Sequence, residues 1–578
     1  MKYTAAFFLC FSLIAQQRVP RPVVRTDGSV NPVEAPLPEP VKPEDKCSLE
    51  GTVTSGISGE PLKKAHLSLR PLGAPNGVPY GAVTDGAGHF LIEDVDPGRY
   101  FLSASRNGFV TQPYSPQGNA KRSTTLTLGN GQHLKEVIMK MTPQGVIAGR
   151  ILDEDGEPLA NVMVQTMMYA YQRGKRQLVP GGGGSTNDLG DFRIHGLRPG
   201  KYLISASFRG DMSLMQPERI APGQAPQAEE GYATTYYPNT TKPDSASQLE
   251  VTPGAQMLGL NMTLARTRTV RVKGHIVGLG DMNAARRTNL SLFPHDSFAF
   301  MGMPRAFARV NDAKGTFEFR GVAPGSYLIS ADMFDDNKRF SARVPVEVGN
   351  ANVEDVEIRL QAPADLSGRI VIEDNGDVKG AGLNVFLQPR SNLQGMGGGG
   401  GPIKEDLTFK LNNIGPDPYE VNVFGLPESF YVRAVRLGTQ DVTDTGVDFT
   451  NGVSAEELTV VISPNGGQVE GTVQNAKGEN AAGSTVTLIP DVTHRSINAL
   501  YKTANTDQNG HFTIRGVRPG EYTIYAWEEI ESGAYQDPDF LKPHESSATT
   551  VSVKASGHDT LQLKAVPAEN SANPNAAR

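Results

Sequence analysis

The 578-residue chain is 38% hydrophobic and 20% charged, with a formal net charge of −7 at pH 7. That balance, with the two signs well mixed, offers no basic face for nucleic acid and serves solubility. Its 63 glycines and 41 prolines exceed ordinary usage and mark a turn-rich β chain, whose length alone predicts about four domains.

The first residues read as a secretory signal, 1–17. Lys2 supplies a positive start, and Ala5 to Ala15 is an apolar run too short to span a bilayer, with cleavage near Ala15. Cys10 lies inside that run and makes a poor lipid-attachment site. Removal of the signal leaves Cys47 as the sole cysteine, so no disulfide forms within the chain. An exported protein without disulfides points to a bacterium. Residues 18–46 carry seven prolines, from Pro20 to Pro43, and are expected to form an extended spacer. No later apolar run is long enough for a transmembrane helix in the mature chain.

From Cys47 onward one pattern recurs at intervals of about a hundred residues. A Gly-x-Val/Ile start stands at Gly51, Gly149, Gly274, Gly368 and Gly471. Four of the five lead into an Asp/Asn-x-x-Gly-x-Phe turn and then Pro-Gly-x-Tyr, ending at Tyr100, Tyr202, Tyr327 and Tyr522. From the first Gly to the Gly of Pro-Gly-x-Tyr the distance is 47, 51, 51 and 49 residues. The expected units are 47–143, 144–267 with a long insertion, 268–363, 364–464 and 465–566, followed by a disordered tail at 567–578.

Within a unit, Val162 and Val164 alternate with polar neighbours as a half-buried strand does. Asn187 and Gly190 close a turn that delivers Phe192 to the core in fixed register, and Phe192 and Ile194 share one face. Tyr202, Ile204 and Ala206 share a face of the next strand. A tyrosine just past such a corner buries its ring and bonds its hydroxyl to nearby backbone. Six or seven short strands per hundred residues predict a β-sandwich and no helix of useful length. The fourth unit departs from the pattern. Glu405-Asp406-Leu407-Thr408-Phe409 lacks the turn glycine, and Gly415-Pro416-Asp417-Pro418-Tyr419 replaces Pro-Gly-x-Tyr, so a different corner is expected there.

Gly-x-Val, Gly-Glu-Pro-Leu (Gly59 to Leu62 and Gly156 to Leu159), the Phe turn and Pro-Gly-x-Tyr together resemble the carboxypeptidase regulatory-like domain, from about Cys47 to Val566. The resemblance implies a transthyretin-like sandwich, similar to immunoglobulin-type and starch-binding-like folds. The expected fold class is therefore all-β, a tandem array of five sandwiches. The resemblance reaches the accessory domain of metallocarboxypeptidases and not the catalytic one, and it implies sugar binding only by analogy of fold.

No catalytic set emerges. His133-Leu134-Lys135-Glu136 matches a His-x-x-Glu zinc pair, but on a strand the two side chains are expected to face opposite ways, with no third ligand. Asp153 with Asp155, and Asp374 with Asn375 and Asp377, lie at hairpin turns and lack the Glu of a calcium loop. No metal and no cofactor is expected. Gly181–Gly184 and Gly397–Gly401 lack the helix and Lys of a phosphate cradle and are expected to be flexible hairpin loops. The binding candidates are aromatic. On an unbulged strand Met163, Gln165, Met167, Tyr169 and Tyr171 face away from the core, where the tyrosines meet a ligand or the next domain; a bulge would bury them. Tyr232, Tyr236 and Tyr237, in the insertion of the same unit, are candidates to extend that surface. Trp527 is assigned to core or interdomain packing.

The reading is a non-catalytic protein, exported to the periplasm, outer surface or exterior, built as a string of sandwiches that presents faces for a glycan or an envelope protein. Its alternatives are a carbohydrate-binding protein and an accessory subunit of an envelope enzyme or transport system.

Overall fold

The central strand of the first unit, Cys47–Ser55, alternates buried and half-buried residues along its whole length, as a strand with one face on a core must. It pairs antiparallel with His89–Val95 and parallel with His133–Met141. A second sheet, Tyr80–Val83, His66–Pro71 and Gly98–Ser105 with Gln112–Pro113 and Thr125–Leu128 at its edge, faces the first. Leu49, Val53, Leu69, Leu102 and Leu126 are fully enclosed between them. This computed structural model describes residues 41–568 except 73–77, 116–122, 173, 209–229, 280–281, 295–305, 311, 337, 375, 377, 379–381, 391–398 and 454–455. The expected signal at 1–17, most of the spacer and most of the tail thus lie outside the described residues.

The same central strand recurs as Gly145–Leu152, Val270–Val277, Ala364–Ile372 and Gly467–Gln474, each with an antiparallel neighbour on one side and a parallel one on the other. A separate hydrophobic cluster fills each sandwich in turn along the chain. In the last, Gly520–Trp527 and His558–Val566 pair at Ala526 and Ala565, so its two sheets join at one corner. The chain is an all-β tandem array of sandwiches.

The glycine of Gly-x-Val/Ile has a steric cause. The parallel neighbour of the first central strand bulges at Glu136, whose φ is +61°, and its ladder resumes at Gly51 opposite Val137. A Cβ on Gly51 would stand 1.9 Å from the Val137 carbonyl oxygen. The same position meets Leu260 at 1.9 Å for Gly149, Val356 at 2.0 Å for Gly274, Leu458 at 2.4 Å for Gly368 and Leu561 at 1.8 Å for Gly471. No side chain fits there.

The Phe turn is closed by an acid or amide. Oδ1 of Asp85 accepts from the amides of Ala87 and His89, and Asn187 and Asp507 make the equivalent pairs. Gly88, Gly190, Gly315 and Gly510 then take φ of +72° to +79°, and their carbonyls accept from Val53, Ile151, Ile276 and Val473 of the central strands. In the fourth unit Leu407 stands in that place with φ +63°, and its carbonyl accepts from Ile370. The missing glycine changed the residue and left the turn intact.

The corner tyrosines Tyr100, Tyr202, Tyr327 and Tyr522 are buried, and each hydroxyl donates to the carbonyl four residues earlier at 2.6–2.8 Å. Tyr419 does the same, donating to Gly415 O at 2.9 Å. This corrects the expectation of a different corner in the fourth unit: Pro416-Asp417 turns the chain as Pro-Gly does. Burial, with Asp417 alongside, pushes the Tyr419 phenol up to about 12. Tyr419→Phe is expected to cost the fourth unit about 1 kcal/mol, the scale of one hydrogen bond, read by urea unfolding; no loss would mean that the hydroxyl is idle.

Two further expectations are corrected. Gly181–Gly184 belong to the strand Lys175–Ser185, and Gly400 and Gly401 to Gly400–Pro402, because each run pairs with the strand beside it; Gly397 and Gly398 lie outside the described residues. Residues 43–46, assigned to the spacer, form a helical turn at Pro43–Asp45, with Lys46 paired to Asp96 of the first unit. The helices that occur are short, such as the four residues Pro538–Leu541, as expected.

Candidate functional site at the contact of the second and fifth units

Strand Val162–Gln172 pairs with Gly200–Phe208 only as far as Met167, opposite Leu203. Beyond that it pairs with Lys175–Ser185 alone, out to Gln172 opposite Lys175. The ladder skips Gly181 between Thr166 and Met167, where Pro180 has no amide to donate. The result is a two-stranded arm reaching past its sandwich, and such an arm is marginal in water unless something supports it.

The support is the fifth unit. Along Gly520–Trp527, Tyr522, Ile524 and Ala526 enter the core, so Tyr525 and Trp527 fall on the other face. They stack at 5.3 Å, and the buried Trp527 Nε1 donates to Thr487 Oγ1 at 2.9 Å. The following insertion folds over them. Asp537 caps a short helix by accepting from the Asp539 amide, with Pro538 at its first position. That helix sets Phe540 against Trp527 at 5.6 Å, and His544 meets the indole edge-on at 5.2 Å.

Tyr171 enters this cluster from the second unit. It is 7% exposed and meets Phe540 edge-on at 6.0 Å. Its side chain lies off the second core, where a ligand or the next unit was expected to meet it; the unit that covers it is the fifth, not the next along the chain. Backbones fit closely around it, since a Cβ on Gly174 would lie 2.6 Å from Gln536 O and one on Gly533 2.9 Å from Tyr171 O. Tyr169 is half-buried, and the Arg176 guanidinium covers its ring at 4.2 Å from the centroid, in cation–π contact. It is not an open stacking platform.

The insertion tyrosines are not gathered here. Tyr236 pairs with Ser205, opposite Gln165, about 20 Å along the strand from Tyr171 at 3.3 Å per residue. Tyr232 packs edge-on against Phe208 at 5.3 Å, further off still, and Tyr237 lies against the second core. The five tyrosines form no single surface.

His544 is 6% exposed, and its Nε2 has no hydrogen-bond partner among the described residues. Burial pushes its pKa below 6.5. The folded state thus prefers neutral imidazole, and the unfolded state binds the extra proton. Stability from this group is complete above about pH 6.5 and is lost as pH falls from there through the lower folded value. Thermal unfolding between pH 7.5 and 5 should show this loss, and His544→Phe should flatten it; an unchanged slope would place the titration elsewhere.

The other sequence candidates have structural occupations. Arg266 Nη2 lies 2.6 Å from Asp155 and 3.5 Å from Asp153, a cation already at that turn. His133 Nδ1 bonds Ser48 Oγ at 2.7 Å, while Glu136 is the exposed bulge residue. Asp374 accepts from Asn465 at 2.6 Å, and Asn375 and Asp377 lie outside the described residues. Among the described residues no group of three or more His, Cys, Asp or Glu is placed to hold a metal, and no helix is long and apolar enough to cross a membrane.

The fifth unit also touches two others. Thr127 N donates to Gln508 Oε1 at 3.1 Å and Thr127 O accepts from Gln508 Nε2 at 2.8 Å, beside a bridge between Thr125 and Asp507. Arg518 pairs with Asp444 at 3.0 Å and Arg515 with Glu428, both on the fourth unit. The expected string returns on itself. Gln508, Phe540 and His544 were missed in the sequence; the one available signal was the Asp537-Pro538 cap.

Together these features define a tandem β-sandwich protein in which every unit has a glycine pressed against its parallel neighbour and a tyrosine corner. The carboxypeptidase regulatory-like domain family matches it in two regions, residues 48–137 and 468–575. Similar solved structures include the Bacillus anthracis TIE protein, 12% identical over 55% of this chain and 51% of that one, with TM-score 0.16. The chain spans about half the length of that protein. A streptococcal ancillary pilin is 9% identical over 55% of this chain and 99% of its own, with TM-score 0.18. The major pilin subunit BcpA of Bacillus cereus is 13% identical over 55% and 99%, with TM-score 0.13. No curated protein matches the chain in sequence.

Proposed function

We propose that this is a non-catalytic binding and structural protein, exported by a bacterium to its envelope, surface or exterior, whose domains are the five units 47–143, 144–267, 268–363, 364–464 and 465–566. The supporting observation is the contact set of the fifth unit, which meets the first, second and fourth through groups given over to packing and pairing. Turn carboxylates such as Asp85 and Asp507 are likewise committed to backbone amides. What remains for a partner is surface between units, suited to a glycan or an envelope protein.

Co-sedimentation of the purified chain with isolated envelope and polysaccharide fractions, with a C-terminal peptidase assay in zinc alongside, tests this. Retention without turnover is expected. Hydrolysis abolished by changing His133 or Glu136 would overturn the reading, as would failure to be retained by any fraction.

A further inference from the structure

A cleft of about 500 Å³ opens between the fourth and fifth units, with Arg99 of the first unit at its margin. That size suits a ligand of two or three rings. Three of its cations are paired across or along the walls: Arg390 with Glu420 at 3.5 Å, Arg518 with Asp444 at 3.0 Å, and Arg515 with Glu428. Two are not. Arg99 and Lys502 line the cleft with no carboxylate or side-chain hydrogen-bond partner among the described residues. Burial pushes the Lys502 ammonium below its ordinary 10.5, with no acid among the described residues to hold it up. In an adjoining recess that shares Arg390 and Glu420, the buried Nε of Arg495 also lacks an acceptor.

Unpaired donors converging on one cleft from two units suit an anion. The walls say which kind. Phe424, 57% exposed, lies in this cleft with Tyr431 and Leu500, apolar surface that a bare phosphate would leave uncovered. Asn422 and the paired carboxylates Glu420 and Asp444 supply acceptors for hydroxyl groups. Pyranose rings carrying carboxylates meet all three demands: their C–H faces on the aromatics, their hydroxyls on the acceptors, their charge on Lys502 and Arg99.

We propose that the cleft between the fourth and fifth units binds an acidic oligosaccharide, with Lys502 and Arg99 holding its carboxylates and Phe424 and Tyr431 its ring faces. This rests on, and deepens, the reading of the chain as a non-catalytic binding protein.

Calorimetric titration of the full chain with trigalacturonate, neutral galactotriose and inorganic phosphate tests it. Trigalacturonate is expected to bind at least tenfold more tightly than either control. Lys502→Met, which keeps the buried stem, should weaken it tenfold or more, and Arg99→Ala and Phe424→Ala several-fold each. Arg106→Ala, away from the cleft on Phe109, should change nothing. Should Lys502→Met misfold, Arg99→Ala and Phe424→Ala decide on their own, since neither residue belongs to the buried core. Equal affinity for the neutral sugar, or for phosphate, would overturn the proposal, as would intact binding in the cleft variants. Cleavage of the bound trisaccharide would defeat the non-catalytic reading and leave the site standing; envelope retention without trigalacturonate binding would do the reverse.

Discussion

Gly51→Ala is expected to unfold the first sandwich, with a loss of about 4–5 kcal/mol, the range reached when a substitution has no room at all. The new methyl would stand 1.9 Å from the Val137 carbonyl oxygen. That oxygen is backbone, held by the parallel ladder from Val137 to Met141, so no flexible side chain can give way. Relief requires parting the central strand from its neighbour, which opens the cluster around Leu49 and Val53. Gly86→Ala, where nothing lies within 4 Å and φ is not positive, is the control and should stay within about 0.5 kcal/mol of the parent. Urea unfolding with amide exchange over 47–141 reads both. A Gly51→Ala chain as stable as the control would mean that the bulge at Glu136 is not present in solution.

Trp527→Ala is the second large effect, about 3–5 kcal/mol on the fifth unit, as for other buried tryptophans. The indole is fully enclosed, and its loss leaves a cavity beneath Phe540 and an unpartnered Thr487 hydroxyl. It also removes the floor on which Tyr171 is seated. Amides of the arm 168–178 should therefore exchange faster in this variant although the substitution lies in another unit. Tyr171→Ala should release the arm equally while leaving the fifth core, centred on Val469, Leu488 and Ile524, nearly untouched. Unchanged exchange in the arm after Trp527→Ala would mean that the two units do not meet.

What a residue does within its own unit was legible, because its causes lie within a few strands. The periodic Phe, the turn glycine and the corner tyrosine each answer to backbone geometry that repeats. Where the motif failed, at Leu407 and Tyr419, the geometry persisted: a left-handed turn tolerates a non-glycine at a cost, and a Pro-Asp corner still sets a tyrosine four residues past the carbonyl it bonds. Contacts between units were not legible for the same reason reversed. Alternation places Tyr171 and Trp527 off their cores, but whether water or another unit covers them depends on residues some 360 positions apart. Gln508, in an ordinary Asp-Gln-Asn-Gly turn, has nothing in its neighbourhood to mark it as the partner of Thr127. The glycine runs misled because composition suggests flexibility, whereas pairing with Val164 and Val385 makes them strands.

The return of the fifth unit onto the first is tested most directly by a cysteine pair at the bridge between them. Thr125→Cys with Asp507→Cys, in a chain whose Cys10 and Cys47 are replaced by Ala, places two thiols on bridge partners, within the roughly 4–7 Å Cα spacing that a disulfide spans. Mild oxidation at low protein concentration should give one intrachain disulfide in nearly every molecule, seen as a two-dalton loss and a faster non-reduced gel band. Two free thiols, or links between chains only, in a protein that unfolds like its parent would contradict the closed arrangement.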